Sequence, residues 1–202
     1  MFTFCLVKCI FSSAPFNILP KTCSLVKSGF ADTNDGYKIF VQRNKIHHNY
    51  NEIYSWAPDK DKITPHIDEG KGISLQRNET TNKVNWDHGR ILVANNLAYY
   101  NGFSGLHINT GRGIEIVNNT AYYNSVTTAI EGNGNQHGIS VQGGEDILIV
   151  NNIAVSDTSI AQNRVLNLSS NSINITVRNN LLIGNLSANA DAVDVNTFTC
   201  FP

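Results

Sequence analysis

SGLHINTGRGIEIVNNTAYYN, residues 104–124, is the stretch whose reading decides the fold. It holds three short segments, Gly105–Asn109, Ile114–Asn118 and Thr120–Tyr123, separated by tight polar turns. Each is too short for a helix and alternates with the period of two expected of a half-buried strand. The same grammar recurs in GISLQRN at 72–78 and in GISVQGGEDILIVNNIAVSD at 138–157. Repetition of this kind implies stacked units, none of which buries its apolar side alone.

Aligning the repeats on their second strand gives Ile39–Arg43, Ile91–Asn95, Ile114–Asn118, Ile147–Asn151 and Ile175–Asn179. The first and third positions are Ile or Val every time, which predicts an inward column. An Asn follows each strand: Asn44, Asn96, Asn119, Asn152 and Asn180. Further on stands a second polar turn residue: Asn49, Asn101, Asn124, Asp157 and Asn185. Between them lies a small or aliphatic residue: Ile46, Ala98, Ala121, Ala154 and Leu182. At a strand spacing of about 4.8 Å, identical Asn side chains can bond to the amide above and below as a ladder. Asn also tolerates the left-handed backbone of a sharp corner. The first strand supplies its own inward pairs: Ile73 and Leu75, Leu106 and Ile108, Ile139 and Val141, Leu166 and Leu168, and Val193 and Val195.

Three short strands per coil, parallel stacking and Asn corners resemble the right-handed parallel β-helix of the pectate-lyase-like superfamily. The expected fold is therefore all-β, a solenoid of about five coils and some 24 Å long at the strand spacing. Residues 37–202 are read as the β-helix, and residues 1–36 as a non-repeat cap or leader over its open end. Residues 50–70, 79–89 and 125–136 interrupt the repeat and read as loops extruded from the stack. Outward positions Phe40, Leu92, Leu148 and Val150 form an apolar strip suited to a covering segment or to a second copy.

Charged residues make up 15% of the chain and the net charge is −1, so no basic patch argues for nucleic acid. No apolar run reaches transmembrane length. The four cysteines, Cys5, Cys9, Cys23 and Cys200, fit no zinc spacing and leave any disulfide pairing open.

If the Ile and Leu of the first strand point inward, the alternate residues form two outward rows. One is Ser74, His107, Ser140, Asn167 and Asp194; the other is Gln76, Asn109, Gln142, Ser169 and Asn196. A polar row that advances one coil at a time suits an extended sugar chain, and it is also the solvated face that any such stack presents. His107 stands mid-row and has the chemistry of a general base or acid near neutral pH. Stacking places Arg112, His137, Lys71 and Arg77 around it, with Asp68 and Glu69 on the preceding coil. Trp56 and Trp86, in the extruded loops, are candidates for sugar contact. The tyrosines at 99, 100, 122 and 123 align between coils, where they stabilise the stack or contact sugar.

The resemblance implies what such an arrangement does. Lyases of the superfamily offset a uronate carboxylate, often with Ca²⁺, and then remove the C5 proton with Lys, Arg or His. By that resemblance His107 or Lys71 is the base, and Arg112 or Arg77 the carboxylate fork. A calcium site would draw on Asp68, Glu69 and Glu131, although the acids are scattered where Ca²⁺ wants six to eight oxygens. The expected function is a carbohydrate-active, extracellular or cell-surface protein acting on an acidic polysaccharide by β-elimination or C5-epimerisation. The alternative is a non-catalytic module that binds glycan or serves as a structural surface.

Overall fold

The computed structural model describes residues 23–26, 37–49, 70–76, 90–126, 137–160, 163–169, 171–188 and 192–200. Every regular element among them is a strand, and every pairing is parallel. The first face stacks Cys23–Val26, Ile73–Gln76, Leu106–Asn109, His137–Gln142, Arg164–Leu168 and Leu186–Ala188. The second face stacks Tyr37–Gln42, Arg90–Ala94, Arg112–Val117, Glu145–Val150 and the start of Ile173–Ile183. The third stacks Lys45–His47, Leu97–Tyr99, Thr120–Tyr122 and Ile153–Val155 on the end of that same long strand. The chain thus repeats first face, second face, third face along one axis, which is a parallel β-helix.

The inward columns predicted from alternation form one continuous core. Ile39, Ile91, Ile114, Ile147 and Ile175 lie over one another, and each is at most 3% exposed. Ile46, Ala98, Ala121, Ala154 and Leu182 line the third face from inside. Alanine fits there because the third strand is only three residues long and turns tightly against the other two faces.

At the corner after the second strand, two adjacent residues divide the work. Arg43, Asn95, Asn118, Asn151 and Asn179 adopt the left-handed conformation, with φ of 52–58°. The residue after each is the ladder Asn. Asn44 donates to Asn96, Asn96 to Asn119, Asn119 to Asn152 and Asn152 to Asn180, with Nδ2–Oδ1 distances of 2.9–3.0 Å. Each acceptor Oδ1 also takes the backbone N–H of the residue above it. The second amide hydrogen of Asn96, Asn119, Asn152 and Asn180 goes to a carbonyl of the preceding coil. Paired Asn residues therefore satisfy a buried bend that would otherwise strand polar groups.

The second ladder is shorter. Asn49 donates to Asn101 and Asn101 to Asn124, and there it stops. On the fourth coil Asp157 turns into its own loop and accepts from the Ser159 backbone and hydroxyl. At that level Ser156 Oγ and both polar atoms of the Asn163 side chain are buried with no hydrogen-bond partner among the described residues.

Gly72, Gly105 and Gly138 begin successive first-face strands where backbones come closest. A Cβ on Gly105 would stand 2.5 Å from Asn124 Nδ2 and 2.7 Å from the Gly138 carbonyl oxygen. Gly105→Ala is expected to cost on the order of 2 kcal/mol, because both obstacles belong to the ladder and the sheet. Urea unfolding measures it; a midpoint equal to that of the parent would show that the corner can give way.

Two expectations are corrected. Val193 and Val195 do not continue the first face: the start of Ala192–Cys200 lies on the second, pairing Val193 with Thr176 and Val195 with Val177. Asp194 and Asn196 therefore leave the two outward rows, and Ser187 takes the place beside Asn167. The apolar outer strip is also broken, because Glu115 stands between Leu92 and Leu148. Glu115 accepts from Arg90 Nε and from the Tyr37 hydroxyl, both at 2.6 Å.

Candidate functional site

The first face carries the candidate site, and its two outward rows differ sharply in exposure. Ser74, His107, Ser140 and Asn167 stand in register on four successive coils. Alternation places them opposite the core, yet Ser74 and Ser140 are 1% exposed and His107 is 6% exposed. The expectation that this row faces solvent is overturned for Ser74, His107 and Ser140, whereas Asn167 is half-buried. The second row is the accessible one: Gln142 is exposed, while Gln76, Asn109 and Ser169 are half-buried.

Within the buried row, His107 Nδ1 lies 2.6 Å from Ser140 Oγ. Burial pushes the His107 imidazole down to about 3, with the Lys71 charge and then His137 acting in the same direction. The imidazole is therefore neutral at neutral pH, the state a general base requires. Lys71 is buried at the lip of the face, its Nζ 5.0 Å over the Phe103 ring. His137, at the start of the next first-face strand, is buried as well. Lys71, His107 and His137, grouped from the sequence, thus share one buried polar cluster.

Arg112 belongs to a different neighbourhood. It opens the second-face strand, half-exposed, with Nε 3.8 Å from Glu145 Oε1. Ser74 Oγ accepts from Gln76 Nε2 at 2.9 Å, tying the buried row to the accessible one. Asn109 Oδ1 accepts from the Thr110 hydroxyl at 3.0 Å. Arg77, Trp56, Trp86, Asp68, Glu69 and Glu131 lie outside the described residues.

Comparison with protein families, with curated proteins and with solved structures returns no match.

The described carboxylates do not fit a calcium cage. Glu115 and Asp146 are both taken by Arg90, at 2.6 Å each, and Glu145 faces Arg112. Among the described residues no group of three or more His, Cys, Asp or Glu side chains could hold a metal ion. No helix among them is long and apolar enough to cross a membrane.

Sequence reasoning underrated one cluster. His47 stacks on Tyr99 with centroids 4.7 Å apart, and His48, Tyr100, Tyr122 and Tyr123 continue from it. The alignment of tyrosines between coils was the signal. What it did not reveal is that His47 and His48 extend the alignment by one more coil.

Proposed function

We propose that the protein is a glycan-binding parallel β-helix whose ligand is an acidic polysaccharide lying along the first face. The observation that carries this reading is the accessible row of Gln76, Asn109 and Gln142, in register on three successive coils. Each coil advances about 4.8 Å and offers an amide that both donates and accepts. That is a repeating hydrogen-bond pattern for a repeating chain of hydroxyl and carboxylate groups.

A second reading, β-elimination or C5-epimerisation in the manner of the pectate-lyase-like superfamily, draws on the buried cluster. His107 has the protonation state of a base, and the Lys71 ammonium would offset a uronate carboxylate and so acidify the neighbouring C–H. That chemistry requires the substrate to reach a side chain that is 6% exposed. The burial is why binding ranks first.

One experiment separates the two. The protein is mixed with polygalacturonate, alginate and hyaluronan, and binding is followed by affinity electrophoresis alongside ultraviolet absorbance of unsaturated product. Retardation without absorbance is the expected result, and Gln142→Ala is expected to weaken it about tenfold, or 1.4 kcal/mol. Absorbance that disappears in His107→Ala would make the protein a lyase. Retardation by none of the three would sink the glycan reading.

A further inference from the structure

The aromatic cluster lies outside the first face, on the third face and the corner after it. In register stand His47, Tyr99 and Tyr122, and directly after them His48, Tyr100 and Tyr123. Side chains of consecutive strand residues ordinarily point to opposite sides. Here they converge, because the second member of each pair is left-handed: φ is 56° at His48, 51° at Tyr100 and 45° at Tyr123. Six rings from three coils thereby form one ribbon, with neighbouring centroids 4.6–6.5 Å apart.

The corner after the second strand shows what this backbone conformation normally selects. There Asn holds the left-handed position on four coils out of five. Asn is enriched in that conformation, whereas a bulky side chain is disfavoured in it. The third-face corner places His48 there, a residue that this conformation also accepts, and then a bulky tyrosine twice in succession, Tyr100 and Tyr123. Coil stability does not call for that choice, since Asn would serve the bend better. A local strain retained on successive coils points to a use for the rings themselves.

The geometry says what the use is. Tyr100 and Tyr122 are 37% and 40% exposed, and His48 is exposed as well. Tyr99 meets Tyr100 at 73° and Tyr100 meets Tyr122 at 71°, edge to face. His47 lies face to face on Tyr99 and covers that ring; the edge contact between Tyr100 and Tyr122 covers one ring face of the pair, in keeping with the exposure both retain. Phenol and imidazole edges add hydrogen-bonding groups around those faces. The third-face strands and corners of these three coils contain no carboxylate, and Lys45 stands at one end, its Nζ 5.6 Å over the Tyr99 ring. Apolar ring faces, polar ring edges and a cation suit a sugar ring that presents C–H bonds on one face, hydroxyls at its rim and a carboxylate.

We propose that this ribbon is a second carbohydrate site, on which the pyranose rings of an acidic glycan stack over Tyr100 and Tyr122 with a carboxylate directed to Lys45. It rests on the reading that the ligand is an acidic polysaccharide, and it assigns part of that binding to a surface separate from the amide row.

The test uses substitutions suited to the local backbone. Tyr100→Asn keeps a residue that favours the left-handed corner, and Tyr122→Thr keeps a strand former. Affinity for polygalacturonate is measured for the parent, for both variants, for Tyr100→Phe, for Lys45→Gln and for Gln142→Ala. Each ring deletion is expected to weaken binding about fivefold to tenfold. Tyr100→Phe should bind like the parent, and the thermal midpoint of Tyr100→Asn should equal or exceed it. Lys45→Gln should weaken binding to polygalacturonate and leave binding to neutral cello-oligosaccharides unchanged. If the parent binds, Gln142→Ala weakens it and the ring deletions do not, the ribbon proposal is overturned while the glycan reading stands. If the parent retains no polysaccharide, both fall.

Discussion

Replacing Asn119 by alanine is expected to remove roughly 3–5 kcal/mol from the stability of the stack. Asn119 is the central rung of the long ladder. Its Oδ1 accepts from the backbone N and from Nδ2 of Asn96, at 3.0 and 2.9 Å. Its Nδ2 donates to the Val93 carbonyl at 2.9 Å and to Asn152 Oδ1 at 3.0 Å. Alanine would leave two donors of Asn96 without an acceptor at a site only 2% exposed. Each stranded donor costs about 1–3 kcal/mol. Asn44, the terminal rung, gives the contrast. It donates to Asn96 and to the Gln42 carbonyl at a partly exposed end. Asn44→Ala is expected to cost about 1 kcal/mol. Urea unfolding of both variants measures the gap, and equal midpoints would show that the ladder is an ornament of the backbone pairing. Asn119→Asp should be at least as damaging, because a carboxylate accepts but cannot donate to the Val93 carbonyl.

The second large effect is a loss of stability in acid traceable to one imidazole. His107 titrates near 3 in the folded chain and near 6.5 when unfolded. Between those values the unfolded chain takes up a proton that the folded one refuses, so stability falls as pH falls. The contribution is fully present above 6.5. It diminishes by about 1.4 kcal/mol per pH unit below that, or roughly 3 kcal/mol by pH 4. His107→Asn places at this position the side chain that the same row carries two coils further on, at Asn167. The variant should flatten the acid limb of a stability-against-pH curve between pH 6 and pH 4.5. Parallel slopes in parent and variant would contradict the assignment.

Much of the architecture was readable because two chemical demands recur on every coil. Apolar β-branched residues at alternate positions marked the core, and an Asn after each second strand marked the corner. The last first-face strand was misplaced because Leu186–Ala188 offers only three residues of pattern. Val193 and Val195 alternate more strongly, and period two does not say which of several faces a strand joins. The candidate site was less legible. Alternation placed Ser74, His107 and Ser140 opposite the core, which is where they are, but the side of a strand is not the same property as contact with water. Lys71 and His137 gathered near His107 because stacking brings residues at similar offsets together. Arg112 stands apart because the chain turns before it, carrying it onto the second face beside Glu145. The histidines at 47 and 48 went unremarked because they share position, rather than residue type, with the tyrosines.

The unequal lengths of the two ladders give the rod a preferred line of fracture. In a stack where each layer touches only its neighbours, cohesion is set seam by seam, and the weakest seam governs how the whole comes apart. The seam below the third coil keeps its long ladder, through Asn119 and Asn152, but has no rung below Asn124 at the other corner. Just beyond it, Ser156 and Asn163 bury polar atoms that find no hydrogen-bond partner among the described residues. Coils one to three, tied at two corners, make up the stiffer segment, and they are also the coils that carry every ring of the aromatic ribbon. A tug along the axis would open the stack beyond the third coil first, where each seam keeps only the long ladder, leaving that ribbon intact on the piece that holds.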